Sequence, residues 1–100
     1  MSLKLEKNID DAATLTLTGR LDTSTAPELE AELDGLLDNT TNLVFDMRGL
    51  EYISSAGLRI ILKAQKAMNR KGSMKLIHVP EAVMEVFDIT GFVDFLTIEE

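Results

Sequence analysis

The chain contains no cysteine, which removes disulfides, thiolate catalysis and zinc–sulfur sites together. It contains a single histidine, His78. That residue falls inside a predicted strand, where a structural histidine is the plain reading, and it leaves a Ser-His-Asp assembly weakly supported. The six glycines are scattered, and neither GxGxxG nor GxxxxGKS/T occurs. Autonomous nucleotide chemistry therefore has no phosphate-binding loop to work with. Positive charge is scarce: ten Lys and Arg stand against seventeen Asp and Glu, for a net charge of −7. Nucleic acid and anionic membrane surfaces both demand basic patches, so neither is an expected partner. No apolar run approaches the ~20 residues of a membrane span and no signal-peptide pattern opens the chain, so a cytoplasmic address is expected.

What is present suits one globular domain. Hydrophobic residues make up 45% of the chain and charged residues 27%, a globular rather than a disordered balance. One hundred residues leave little room for a second domain, and a chain of this size buries roughly 60–70% of its unfolded surface. Residues 1–100 are taken as one unit, without repeat, linker or low-complexity segment.

Leu3 and Leu5 alternate with Lys4 and Glu6, and Thr14, Thr16 and Thr18 alternate with Ala13, Leu15 and Leu17. Two strands with a turn at Asn8 to Asp11 make a hairpin, with the threonine row on its outer face. Asp10-Asp11 reads as a solvated turn rather than a metal site. Thr25-Ala26-Pro27-Glu28 opens a first helix, with Thr25 as the cap, Glu28 completing a capping box and Pro27 in the first turn. Leu29, Leu33, Leu36 and Leu37 give that helix one apolar face, and Asp38 to Thr41 breaks it. Leu43-Val44-Phe45 looks like a strand covered on both faces. A second helix runs from about Ser55 to Arg70, with Leu58, Ile61, Leu62 and Met68 inward and Arg59, Lys63, Lys66 and Arg70 wet. A strand at Met74 to Val79, a third helix from Pro80-Glu81 to the Gly91 stop, and a short strand at Phe95 to Ile98 complete the chain. The order β-β-α-β-α-β-α-β predicts an α/β fold: a mixed, mostly parallel sheet of four to five strands, helices packed against it, and an N-terminal β-hairpin.

The most informative stretch is Asp46-Met47-Arg48-Gly49-Leu50-Glu51-Tyr52-Ile53-Ser54-Ser55-Ala56-Gly57-Leu58-Arg59. A strand ends in an acid, a short loop follows, and two serines stand at the mouth of the second helix. A hydroxyl there is an ordinary N-cap; if Ser55 is that cap, its removal costs about 0.5–2 kcal/mol. The same position suits a phosphate, because free N–H groups and the positive end of the helix dipole both favour an anion.

The segment Asp46…Tyr52-Ile53-Ser54-Ser55-Ala56-Gly57-Leu58 closely resembles the signature of STAS domains, specifically the bacterial anti-sigma factor antagonists. Gly19-Arg20-Leu21-Asp22 is similar to the family's Gly-x-Leu-Asp element, and Val86-Phe87-Asp88-Ile89-Thr90-Gly91-Phe92 to its Phe-Asp-x-x-Gly-Leu element. The three elements occur in family order over nearly the whole chain. The resemblance implies the STAS fold; the missing phosphate loop and the lack of a base near either serine give the expectation of no catalysis and no cofactor. It also implies a partner that is an anti-sigma factor, often itself a serine protein kinase, and a serine phosphatase that resets the switch. By motif position Ser55 matches the phosphorylated serine, Ser54 is the second candidate, and Asp22 matches an acid in the neighbouring loop. The expected docking surface comprises Asp22, Thr23, Ser24, Thr25, Ser54, Ser55, Arg59 and Lys63. Ser54 stands where Asp is common in the family, and Ala56 where Ser or Thr is common. The family often continues into a C-terminal helix past the last strand. Its lack before Glu100 gives an expectation of one thinly covered sheet face, in a monomer or weak dimer.

Two other readings compete. In a signalling receiver domain, Asp46 at its strand end would accept phosphate, but an acidic pair after the first strand is missing. In a STAS domain of another kind, the chain would be an unphosphorylated adaptor, or a subunit of a transporter or stress-signalling complex.

Overall fold

The computed structural model describes residues 3–9, 13–38 and 40–99; the Asp10-Asp11 turn lies outside them. The elements are β1 Leu3–Ile9, β2 Ala13–Leu21, α1 Ala26–Leu37, β3 Asn42–Ile53, α2 Ser55–Lys71, β4 Ser73–Ile77, α3 Glu81–Thr90, a 3-10 turn at Phe92–Asp94 and β5 Ile98–Glu99. The strands form one sheet in chain order, β1-β2-β3-β4-β5. The first pair is antiparallel and the rest are parallel, so the fold class and the hairpin are as expected.

Each crossover moves one strand further in the same direction. Right-handed connections therefore put all the helices on one face. Burial follows that rule: Ala13, Leu15 and Leu17 of β2, Leu43, Phe45 and Met47 of β3, and Met74 and Leu76 of β4 are buried in one core with Leu29 and Leu33 of α1, Leu58 and Ile61 of α2, and Val83 and Phe87 of α3. A Lys7–Glu32 ion pair of 3.0 Å ties β1 to α1 across its rim. On the opposite face Thr14, Thr16, Val44, Asp46 and Lys75 are half-buried and Thr18 is exposed. The threonine row is thus an outer face, as expected. The expectation that Leu43-Val44-Phe45 is covered on both faces is corrected, since Val44 is half-buried and points to the face away from the helices of the described residues.

β3 is the largest departure from the sequence reading. The loop expected after Asp46 is strand up to Ile53. The pairing with β2 shifts between Thr16 and Thr18 and again between Gly19 and Arg20, each time with one extra residue on β3. These bulges turn the inward rhythm from every second to every third residue, so that Met47, Leu50 and Ile53 are all buried. A strand with that spacing does not look like one in sequence. At the other end of the sheet β4 stops at Ile77, and His78 lies beyond it, exposed, with a left-handed φ of 54°; it is not a strand histidine. The last strand is Ile98–Glu99 and not Phe95 to Ile98, because 92–94 form a 3-10 turn that leaves Phe95 exposed.

The helices bury the faces predicted for them, Val83 and Phe87 of α3 included, with Leu37, Leu62 and the inward candidate Val86 only half-buried. Gly91 ends α3 at φ 78°, a conformation that suits a residue without Cβ. Gln65 is an unforeseen core residue. It donates to Asn69 Oδ1 at 2.9 Å and accepts the Thr97 N–H at 3.3 Å, which anchors the approach to β5 on α2. No helix among the described residues is long and apolar enough to cross a membrane.

Candidate functional site

β2 and β3 run side by side to their last pair, Leu21 and Ile53. One further hydrogen bond, from the Ser54 N–H to the Leu21 carbonyl at 2.9 Å, holds the two chains together where they diverge. Asp22 begins a loop on one side and α2 begins on the other. Gly57 lets the first turn of α2 sit against β2: a Cβ there would lie 2.6 Å from Leu21 Cγ and 3.2 Å from Ile53 Cγ1. The backbone thus presses the Asp22 loop and the serine pair into one corner.

Asp22 organises its loop. Its Oδ1 accepts the Ser24 hydroxyl at 2.8 Å, the Ser24 N–H at 3.0 Å and the Thr25 N–H at 3.1 Å. These bonds, the Ser24 hydroxyl foremost, outweigh partial desolvation and hold its carboxyl below the ordinary 3.8. Thr25 is the N-cap residue of α1, but its side chain makes no capping bond. Its hydroxyl accepts the Asp22 N–H at 2.9 Å and donates to the Arg20 carbonyl at 2.8 Å. The expected capping box with Glu28 is therefore absent. Thr25 is also 3% exposed, so it shapes the loop from within rather than presenting a surface. Thr23 and Ser24 are the exposed part of the loop.

The two serines divide their work. Ser54 is the cap of α2, with an extended backbone and its Oγ accepting the Gly57 N–H at 3.4 Å, a long bond. The capping role considered for Ser55 belongs to Ser54. Ser55 is the first residue of the helix and is exposed, and no side-chain hydrogen bond engages its hydroxyl among the described residues. The first turn of α2 holds no acidic residue, so its free N–H groups and positive dipole end are not neutralised from within the helix. Arg59 and Lys63 lie on the exposed side of α2, Lys63 paired with Glu30 of α1 at 3.1 Å.

Arg20 and Tyr52 enter the corner without having been foreseen as site residues. The parallel register sets them side by side. The guanidinium lies 4.2 Å from the centroid of the Tyr52 ring, while Arg20 Nε is 3.8 Å from Asp22 Oδ2. Tyr52 is 41% exposed, so the pair is a solvent-facing cation–π platform. Both residues sit inside the two motifs; what sequence lacked was the register that joins them. Asp46, by contrast, lies inside β3 rather than at a strand end, accepts the Arg48 N–H at 3.1 Å and pairs with its guanidinium at 3.7 Å. That placement removes the receiver-domain reading. No cluster of potential metal ligands occurs among the described residues.

The STAS domain family profile matches residues 4–100. The chain belongs to the STAS domain family. A Bordetella bronchiseptica protein assigned as an anti-sigma factor antagonist is 36% identical, over 98% of this chain and 85% of its own length. Among solved structures, an anti-sigma factor antagonist from Mycobacterium paratuberculosis superposes with a TM-score of 0.83 at 22% identity, covering 96% of this chain and 82% of that one. The Bacillus cell fate determinant SpoIIAA in its phosphorylated form superposes with a TM-score of 0.73 at 17% identity, over 98% and 91% of the two chains. These two likenesses establish the STAS fold. The β2–β3 ladder brings the Asp22 loop and the serine pair together within the span that the family profile matches.

Proposed function

We propose that this STAS domain is an anti-sigma factor antagonist: it binds an anti-sigma factor of the serine kinase type, frees a sigma factor, and is switched off by phosphorylation of Ser55. It acts in the cytoplasm as a binding switch rather than an enzyme, monomeric or weakly dimeric, with a serine phosphatase as the resetting partner. The observation that carries the reading is the division between the serines. Ser54 is engaged as the cap, whereas Ser55 offers an exposed hydroxyl at an un-neutralised helix start beside Asp22. The relative from Bordetella supports the antagonist role, and SpoIIAA, of the same fold, is known in a phosphorylated form, which supports phosphorylation as the switch.

The energetics suit such a switch. A phosphate adds about −1.5 to −2 charges and three acceptor oxygens. At the start of α2 the helix dipole tolerates it, so the fold survives. A partner docked over Asp22, Thr23, Ser24, Ser54, Ser55, Arg59 and Lys63 then meets a strongly hydrated dianion next to the Asp22 carboxylate. A hundredfold loss of affinity requires only about 2.7 kcal/mol, within reach of one desolvated, unpaired charge at an interface.

Phosphopeptide mapping after incubation with the anti-sigma kinase and ATP tests the proposal. The expected result is phosphate on Ser55, none in Ser55→Ala, and retained binding by that variant. Phosphate on Ser54 alone overturns the residue assignment, and phosphate on neither makes the chain an unphosphorylated adaptor.

A further inference from the structure

A second surface is built into the other side of the fold, where α3 faces β5. An open groove of about 840 Å³ runs between them. Its floor is apolar and half-buried: Val79, Met84, Val93 and Ile98. Its walls are carboxylates: Glu81, Glu85 and Asp88 of α3, and Glu99 of β5. His78 also lines it, and no lysine or arginine does. Glu99 is paired with Lys75 at 3.1 Å, but the three acids of α3 have no ion-pair partner among the described residues. They recur at i, i+4 and i+7, so they form one stripe, and like charges four apart on a helix oppose each other. Ile89, four residues after Glu85, is 84% exposed and continues the stripe with an apolar side chain. From Glu81 to Ile89 the stripe runs about 12 Å.

We propose that this groove docks a basic amphipathic helix of a partner protein, its apolar side on Met84, Val93 and Ile98 and its Lys or Arg residues reaching Glu81, Glu85 and Asp88. Charge complementarity selects the occupant: the unpaired acidic stripe of α3 along an apolar floor repels anything acidic, and the floor leaves a purely polar segment with nothing to bury. A second copy of this chain does not meet the requirement. Its cationic element is α2, and every exposed residue of α2, including Arg59, Lys63, Lys66 and Arg70, is polar, while Ile60 and Leu62 are half-buried and present little apolar surface to fill the floor. The chain's net charge of −7 further opposes self-docking through an acidic groove. The inference does not rest on phosphorylation of Ser55.

The test uses the full chain, isotope-labelled, and a designed 18-residue helix with leucines on one face and lysines on the other. Three control peptides are needed: one with glutamates in place of the lysines, one with the leucines scrambled off their stripe, and one with the leucines replaced by serine. The expected result is amide shifts clustered at Val79, Met84, Val93 and Ile98 and seen only with the basic amphipathic peptide. Affinity should fall at least tenfold in Glu81→Lys/Glu85→Lys and in the milder Glu81→Gln/Glu85→Gln pair, and stay unchanged in Asp34→Asn, which removes an exposed acid of α1. Shifts elsewhere, equal binding by the scrambled peptide, or equal affinity in folded groove variants overturns the proposal. So does a concentration-dependent dimer whose contacts map to the groove, which would make a second copy the occupant.

Discussion

Adding one methyl group at Gly57 should separate two opposing effects by sign. In a helix interior, alanine is favoured over glycine by roughly 0.5–1 kcal/mol. At Gly57 the new Cβ would come 2.6 Å from Leu21 Cγ and 2.9 Å from Leu21 Cδ2, well inside the ~3.5–4.0 Å optimum between carbons. Leu21 is fully buried and cannot swing into solvent. Overpacking of such a site costs about 1–3 kcal/mol, so the clash outweighs the propensity gain and Gly57→Ala should be destabilised by about 1–2 kcal/mol. For a domain of this length that is a fall in melting temperature of roughly 4–16 °C. Gly35, in α1, is the control, because a Cβ there meets nothing within 4 Å; Gly35→Ala should gain about 0.5–1 kcal/mol. Urea titrations of the two variants and the parent give both numbers with an unchanged m-value. A Gly57→Ala protein as stable as the parent would show that α2 is not seated this tightly on β2. The corner that joins Asp22 to the serines would then have to be redrawn.

Three further outcomes follow from the site and its surroundings. Ser54→Ala should lose about 0.5–1 kcal/mol, the low end for a cap because its bond is long, while Ser55→Ala stays within ~0.5 kcal/mol of the parent; thermal melts that reverse this order would return the cap to Ser55. Asp22 has a folded-state pKa below its ordinary 3.8, so its stabilising bonds count fully above that value and are lost as pH falls through the folded pKa. The stability gap between parent and Asp22→Asn should therefore narrow between pH 6 and pH 3, and a constant gap in urea midpoints would refute it. His78 holds φ 54° without being glycine, so His78→Gly should keep or raise stability by up to about 1 kcal/mol, while β-branched His78→Val should lower it; calorimetry on both tests the sign.

Much of this architecture was legible because each clear signal had one physical cause. Alternating Thr and Leu in β2 meant a one-sided strand, Leu29, Leu33 and Leu36 meant a buried helix face, and Gly91 meant a stop. The failures came where tertiary pairing changed a local rule. Bulges in β3 put Met47, Leu50 and Ile53 on a three-residue spacing that no strand pattern contains. Val44 looked doubly covered because a run of apolar residues does not reveal on which side the crossovers pass. At the site, the serine pair and Asp22 were visible as motifs. Their division of labour was not, since which serine caps depends on where the helix begins to within one residue. Arg20 and Tyr52 needed the interstrand register, and the groove needed α3 and β5 together.

The order of the strands has a consequence for how the molecule comes apart. Because the sheet is laid down in chain order, each strand after the first can add to an edge already formed, and no strand has to be inserted between two others. The assembly can therefore follow synthesis from the ribosome, and its reversal begins at the youngest edge. There, among the described residues, β5 pairs just Ile98 and Glu99 with β4, and Thr97 is held by its N–H on Gln65 and its carbonyl on the Leu76 N–H. That margin is the natural site of subglobal opening. Amides of 97–99 should exchange with solvent far faster than those of β2 and β3. The wall of the groove formed by Glu99 would then open and reclose many times during the life of a single folded molecule, while the serine corner, gripped between the two longest strands, stays shut.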